Sequence, residues 1–330
     1  MSNDNHTHRI YIAATRQNDG KTAVSLGLMC LLRKVYNQVG YMKPVGQQYR
    51  LIKGQKIDKD AILMKNIFSL EDKLTDMSPI AIPRGFTEKY IKKPNHKKLV
   101  KKVNKAFGVL EKNNDFIVIE GTGHAGVGSV FDMSNAAVAK LLNSKVILVS
   151  CGGIGRPIDE ICLNRTQFEK EGVEFLGVVI NKIALKKYDK TYDVLQKGLA
   201  HKGIELLGGI PFDKILSYPT ISQLFDDLGG TLLAGEEGMQ KIVEHFIIGD
   251  IVAHDALGIF SGQTLLIVPG NRDDLILAAM SGPLFGITRR FQISGVVATY
   301  NKRPNARMID LFKKSDTPLI LVEEDSFSVA

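Results

Sequence analysis

The sequence predicts an α/β architecture of two parallel-sheet units in tandem, and three observations predict it. Several short runs are strongly apolar, among them RIYIAA (9–14), FIVIE (116–120), KVILVSCGG (145–153) and FLGVVINKI (175–183). Strands of a parallel sheet read this way because helices cover both of their faces. The stretches between these runs carry apolar residues at helical spacing. Strand and helix alternate from residue 9 to about 220, and the alternation restarts at 263. A length of 330 residues suits two domains. We divide them as 1–224 and 225–330, since DDLGGTLLAGEEG (226–238) concentrates glycines and acids near that point.

Each element follows from its residues. RIYIAA is a strand, TRQNDGKT (15–22) a polar loop, and AVSLGLMCLLRKV (23–35) a helix. QVGYMKPV (38–45) is a second strand, stopped by Pro44. DAILMKNIF (60–68) opens a helix with Asp60 at its start, and FIVIE ends in an acid. Helices over 134–142, 157–172 and 192–203 alternate with strands over 145–153, 175–183 and 204–213; Gly172 and Gly203 stop two of the helices. In the second unit GMQKIVEHFIIGD (238–250) reads as a helix and QTLLIVPG (263–270) as a strand. RDDLILAAMSG (272–282) reads as a helix, ISGVVATY (293–300) as a strand, NARMIDLFKKSD (305–316) as a helix and TPLILVEED (317–325) as a strand.

Composition narrows the function classes. With 44% hydrophobic and 24% charged residues, the chain is neither disordered, collagenous nor a coiled coil. No run of 18 apolar residues is present, so no membrane span is expected. The N-terminus MSNDNHTHRI is polar and lacks a signal-peptide core. Three cysteines, Cys30, Cys151 and Cys162, form no disulfide framework and no zinc spacing, which fits a cytoplasmic protein. The net charge of +8 comes from one segment, KYIKKPNHKKLVKKVNK (89–105), with eight lysines and no acid. Leu99, Val100 and Val103 take helical spacing there, so the lysines read as a solvated helix face rather than a nucleic-acid surface.

The most informative motif is Asn18-Asp19-Gly20-Lys21-Thr22-Ala23, between the first strand and the first helix. A loop entering a helix N-terminus offers unpaired N–H groups and the positive end of the helix dipole to an anion. Gly20 allows close backbone approach, Lys21 supplies charge for terminal phosphates, and the Thr22 hydroxyl is a hard ligand suited to Mg²⁺. The pattern describes a P-loop NTPase domain, although Thr15 stands where a first glycine is usual. Glu120 sits at the carboxyl edge of the sheet, where such folds bind ligands. It reads either as a metal ligand or as a solvated strand-terminal acid. Asp60 reads equally as a helix-dipole partner. Asn181-Lys182 resembles the start of a guanine-reading string, but Ala184 replaces its carboxylate, so ATP is expected over GTP, with the Asn181 amide free for adenine.

Together these residues resemble dethiobiotin synthetase and its wider group, which includes cobyrinic acid synthase-type amidoligases and the N-terminal region of long phosphate acetyltransferases. The resemblance spans about 9–213 and rests on AATRQNDGKT, GYMKPVG, DKDAILM, VIEGTG, GVVINKI and GGIPFD in that order. It implies that Lys21 and Lys43 act on phosphate, that Thr22, Asp60 and Glu120 hold Mg²⁺, and that Asn181 and Pro211 hold adenine. It also implies a homodimer. Arg16, Gln47-Gln48 and GTGHAGVGSVFD (121–132) depart from the synthetase pattern, so the acceptor half is unlike it. Residues 225–325 resemble the DRTGG domain in VPGNRDDLILAA, SGVVATYNKRPN and TPLILVEED, without the literal string.

The expectation is thus a protein that binds Mg-ATP and activates a carboxylate or carbamate acceptor, an unidentified small molecule, by phosphoryl transfer. The alternative is a nucleotide- or metabolite-sensing regulator, since 330 residues leave no room for an acetyltransferase domain as well. His124 and Arg156 read more simply as exposed residues than as substrate contacts.

Overall fold

The computed structural model describes residues 7–281 and 291–330. The polar segment 1–6 and Gly282, at the end of the expected 272–282 helix, lie outside the described residues. The chain forms two compact units that meet between Phe212 and Asp213.

The first unit contains strands β1 (His8–Ala14), β2 (Val39–Met42), β3 (Phe116–Glu120), β4 (Lys145–Cys151), β5 (Phe175–Ile183) and β6 (Leu206–Pro211). They form one sheet in the order β6-β5-β4-β1-β3-β2, parallel throughout. β1 is central, and residues Ile10 to Ala14 are all buried, as its unbroken apolar run requires. Helices α1 (Lys21–Leu32), α2 (Lys59–Phe68), α3 (His96–Asn113), α4 (Asn135–Leu141), α5 (Gly155–Lys170) and α6 (Tyr188–Ala200) connect the strands. From β1 the chain winds to β2 and β3 on one side, then to β4, β5 and β6 on the other. The reversal falls beside β1, so its carboxyl end is the expected ligand edge.

The connection from β2 to β3 carries site residues. A hairpin of Tyr49–Ile52 and Gln55–Asp58 turns at Lys53-Gly54. Both turn residues have positive φ, 49° and 78°, as a two-residue hairpin turn of this hand needs. Its last residue, Asp58, caps α2 by accepting from the Asp60 N–H at 3.0 Å. In α3, Leu99, Val103, Ala106, Phe107 and Leu110 are buried, while Lys97, Lys98, Lys101, Lys102 and Lys105 are exposed, as are Lys89, Lys92 and Lys93 before it. That is the solvated face the sequence predicts.

The second unit has strands β7 (Thr231–Ala234), β8 (His245–Ile248), β9 (Gly262–Pro269), β10 (Phe291–Thr299) and β11 (Leu319–Leu321), in the order β7-β11-β10-β9-β8. Only β7 runs antiparallel to its neighbour. Leu266, Val268, Val296 and Ala298 pack on one face. Leu265, Ile267 and Val297 pack on the other with Ile221. The helix expected over 238–250 is not formed. Its second half is β8, paired in register from His245 with Thr264 to Ile248 with Ile267. Pairing at the sheet edge outweighs an ambiguous local pattern that ends in Phe-Ile-Ile. A helix over Ile221–Leu228, capped reciprocally by Thr220 and Gln223, joins this core. Among the described residues, no helix is long and apolar enough to cross a membrane.

Candidate functional site

The carboxyl edge of the first sheet gathers the expected residues. The loop after β1 turns into α1 at Gly20, whose φ of 98° is left-handed. A Cβ there would stand 2.0 Å from the Asn181 amide nitrogen, so glycine is required for space as well as conformation. Lys21 and Thr22 open the helix, Lys43 follows β2, Asp60 lies in the first turn of α2, and Glu120 ends β3.

These groups touch one another. The Thr22 hydroxyl donates to Glu120 Oε1 at 3.0 Å and lies 3.4 Å from Asp60 Oδ1. Lys43 Nζ donates to Asp60 Oδ2 at 2.6 Å and to Glu120 Oε1 at 2.8 Å. Glu120 is fully buried, and a buried carboxylate needs partners. Lys43 is one, and the Tyr41 hydroxyl, donating to Oε2 at 3.0 Å, is another. Burial alone would lower the Lys43 ammonium, but Glu120 and Asp60 outweigh it and hold its pKa above the usual range. Burial, with help from neighbouring Lys43, pulls Lys21 down. Burial followed by the Glu120 charge lifts Tyr41. Asp58 is also buried, and burial pushes its carboxyl up to about 6 against the pull of Lys43.

The cleft has a volume of ≈ 280 Å³, lined by Gln17, Asn18, Gly20, Lys21, Thr22, Lys43, Gln47, Gln48, Asp58, Asp60, Glu120, Thr122 and Gly123. Of the expected residues, Asp19, Ala23, Asn181 and Pro211 are not in its lining. Ala23 is exposed on α1. Asp19 is buried beneath the loop, where it accepts from Thr15 Oγ1 at 2.5 Å, the Arg16 N–H at 2.8 Å and Cys151 Sγ at 3.1 Å. Asn181 is buried too, its amide directed at the loop backbone. Pro211 is an exposed residue paired with Ile183 on the sheet edge. His124 and Arg156 are exposed, Arg156 in an ion pair with Glu160 at 2.8 Å.

Sequence reading missed the residues that hold this arrangement. Tyr41 hides inside an apolar strand. Asn135 accepts from Tyr11 OH and the Thr122 N–H, both at 2.9 Å, and donates to the Thr122 and His124 carbonyls. It thereby fastens the glycine-rich loop after β3. Asp58 carried a signal, since Asp-x-Asp at a helix entrance marks a cap two residues before the second acid.

Mg²⁺ favours hard oxygen ligands. Thr22, Asp60 and Glu120 supply such oxygens within hydrogen-bonding range of one another, so the donor set fits the ion. Among the described residues no group of three or more His, Cys, Asp or Glu could hold a metal. The remaining ligands would come from phosphate and water.

Comparison with known proteins matches the chain in two successive parts. Residues 8–220 match the family model described as an AAA domain, and residues 223–330 match the DRTGG domain. The phosphate acetyltransferase of Synechocystis sp. is 24% identical over 323 residues, covering 96% of this chain and 45% of the relative. That of Nitratidesulfovibrio vulgaris is 25% identical, with coverage of 97% and 46%. The chain thus spans about half the length of these curated relatives. The ATP-dependent dethiobiotin synthetase of Methanocaldococcus jannaschii is 28% identical over 224 residues, covering 63% of this chain and 99% of the relative. Among solved structures, a Borrelia burgdorferi plasmid partition protein bound to AMPPNP is similar at TM-score 0.42, with 15% identity and coverage of 64% and 89%.

Proposed function

The chain belongs to the AAA domain family, with a DRTGG domain following, and from this premise we propose that it binds Mg-ATP and activates a carboxylate or carbamate acceptor by phosphoryl transfer. The observation that carries the reading is the convergence of Thr22, Lys43, Asp60 and Glu120 beside Lys21 in one cleft. Lys21 and the N–H groups entering α1 bind the phosphates. Lys43, charged over the whole working pH range, neutralises the transferring γ-phosphoryl group. Mg²⁺, when bound by Thr22, Asp60 and Glu120, screens phosphate charge. An acceptor oxygen attacks the γ-phosphorus, the bond to the β–γ bridging oxygen breaks, and ADP and an acyl phosphate result. Tyr41 holds Glu120 in place through its hydroxyl.

A regulatory role is the second reading. The match over 96% of this chain to phosphate acetyltransferases, together with the DRTGG domain, favours it. Nucleotide would then bind without turnover.

The test is ADP release by purified protein with Mg-ATP, bicarbonate and pools of diamines and dicarboxylates, with Lys21→Ala as control. Turnover that depends on Lys21 and rises with one pool supports the enzyme. Nucleotide binding without turnover supports the regulator.

A further inference from the structure

We propose that Asn181 and Lys182 brace the phosphate loop rather than read the base, so the site selects a nucleoside triphosphate by its phosphates and discriminates weakly between bases. This rests on the nucleotide-binding reading above and specifies what that site recognises.

The argument starts from where the two side chains point. Asn181 is buried, and its amide nitrogen donates to the Asp19 carbonyl at 2.9 Å. Its amide oxygen accepts from the Lys182 N–H at 2.9 Å. The Lys182 ammonium reaches back to the Asn18 carbonyl at 2.7 Å. Consecutive loop carbonyls are thereby tied to the end of β5. In a trans peptide the N–H lies opposite its carbonyl, so turning these two carbonyls toward β5 points the N–H groups of Asp19 and Gly20 away from it. The missing side chain of Gly20 is what admits the Asn181 amide.

A second set of contacts works from below. The Asp19 carboxylate collects Thr15, Arg16 and Cys151, and Thr15 also meets Ser150 Oγ at 3.0 Å. The loop is therefore held from β4 and β5 at once. Preorganised N–H groups of this kind bind charge without reorganising.

Base selection needs a different provision. A site that hydrogen-bonds a distinguishing group rejects an analogue lacking it by ~10⁴-fold or more. Here the amide expected to serve adenine spends one N–H on the loop and accepts from the Lys182 N–H, position 184 is alanine, and neither Asn181 nor Pro211 lines the cleft.

The experiment is titration of the full chain with Mg-ATP, Mg-GTP, Mg-CTP and Mg-tripolyphosphate by isothermal calorimetry, for wild type, Asn181→Ala, Lys182→Ala and Lys21→Ala. The three nucleotides should bind within about tenfold of one another, as expected without a base-edge hydrogen bond. Asn181→Ala and Lys182→Ala should each weaken every ligand, tripolyphosphate included, by the same factor of about tenfold, the scale of one hydrogen bond. Lys182 is exposed, so its variant keeps the test open if Asn181→Ala fails to fold. A strong wild-type preference for one base, or an Asn181 or Lys182 variant that loses that base selectively, overturns the inference while leaving nucleotide binding intact. Variants that lower thermal stability but leave every affinity unchanged also overturn it. If wild type binds none of the four, or if Lys21→Ala binds them equally well, the nucleotide-binding reading itself fails.

Discussion

Lys43 carries two carboxylates, and its removal is the sharpest test of the site at the scale of a residue. Lys43→Met would leave Glu120 buried with only the hydroxyls of Tyr41 and Thr22. An uncompensated buried charge of this kind costs about 3–5 kcal/mol. Adding Glu120→Gln removes that charge, so the double variant should recover much of the loss in its urea midpoint. Equal midpoints for the single and double variants would show that the charge pairing is not what stabilises the edge. Cys151 gives a second test. Burial, then the hydrogen bond to Asp19, pushes its thiol up to about 11. The thiolate is the reactive form, so at pH 8 Cys151 should alkylate far more slowly than exposed Cys30. Its rate should climb roughly tenfold per pH unit up to about pH 10, read by peptide mass mapping. Asp19→Asn should raise the rate at pH 8, and an unchanged rate would remove Asp19 from the explanation. Residue identity alone offered Lys21 and Thr22 as candidates for phosphate and Mg²⁺ chemistry and Glu120 as one of two readings, and the structure brings the three to one cleft. It did not reveal Tyr41 or Asn135, whose roles depend on which strand and loop lie beside them.

Among the elements, the strands of the first sheet were readable because burial on both faces leaves an unbroken apolar run. Helix α3 was readable for the opposite reason, since its two faces separate cleanly into apolar and lysine-rich sides. That separation predicts a contrast in stability. Leu110→Ala, at a fully buried position, should cost about 2–5 kcal/mol. Lys101→Gln on the exposed face should stay within about 0.5 kcal/mol of wild type. Denaturant midpoints measure both, and a large loss from Lys101→Gln would mean that the face is engaged rather than solvated. The edge strand β8 was not readable. Its HFII run is too short for either period to dominate, and the decision came from pairing with Thr264 to Ile267, outside the local window. The short hairpin before α2 was missed for a related reason: Lys53 takes a left-handed conformation that its side chain does not advertise.

For the whole molecule, each unit closes its own core, and this makes the two functional readings separable by calorimetry. Residues of the first core run from Ile10 to Ile204, and those of the second unit's two clusters from Ile221 to Val322. Two unfolding transitions are therefore expected. The cleft lies wholly in the first unit, so Mg-ATP should stabilise that unit. Ligand at about 100 times its Kd adds about 2.7 kcal/mol, which for roughly 200 residues raises the midpoint by roughly 5–10 °C. If the protein works as an enzyme whose second unit takes no part in binding, only the first transition should move, and Lys21→Ala should abolish the shift. A regulator must transmit occupancy to its second unit. Linkage then requires that unit to respond as well, because a ligand can shift only an equilibrium to which its binding is coupled. Both transitions should move together, or merge, when Mg-ATP is added. A first transition that moves alone, with no effect of nucleotide on hydrogen exchange in β9 and β10, would rule out that coupling. The DRTGG domain would then have to act on a ligand of its own.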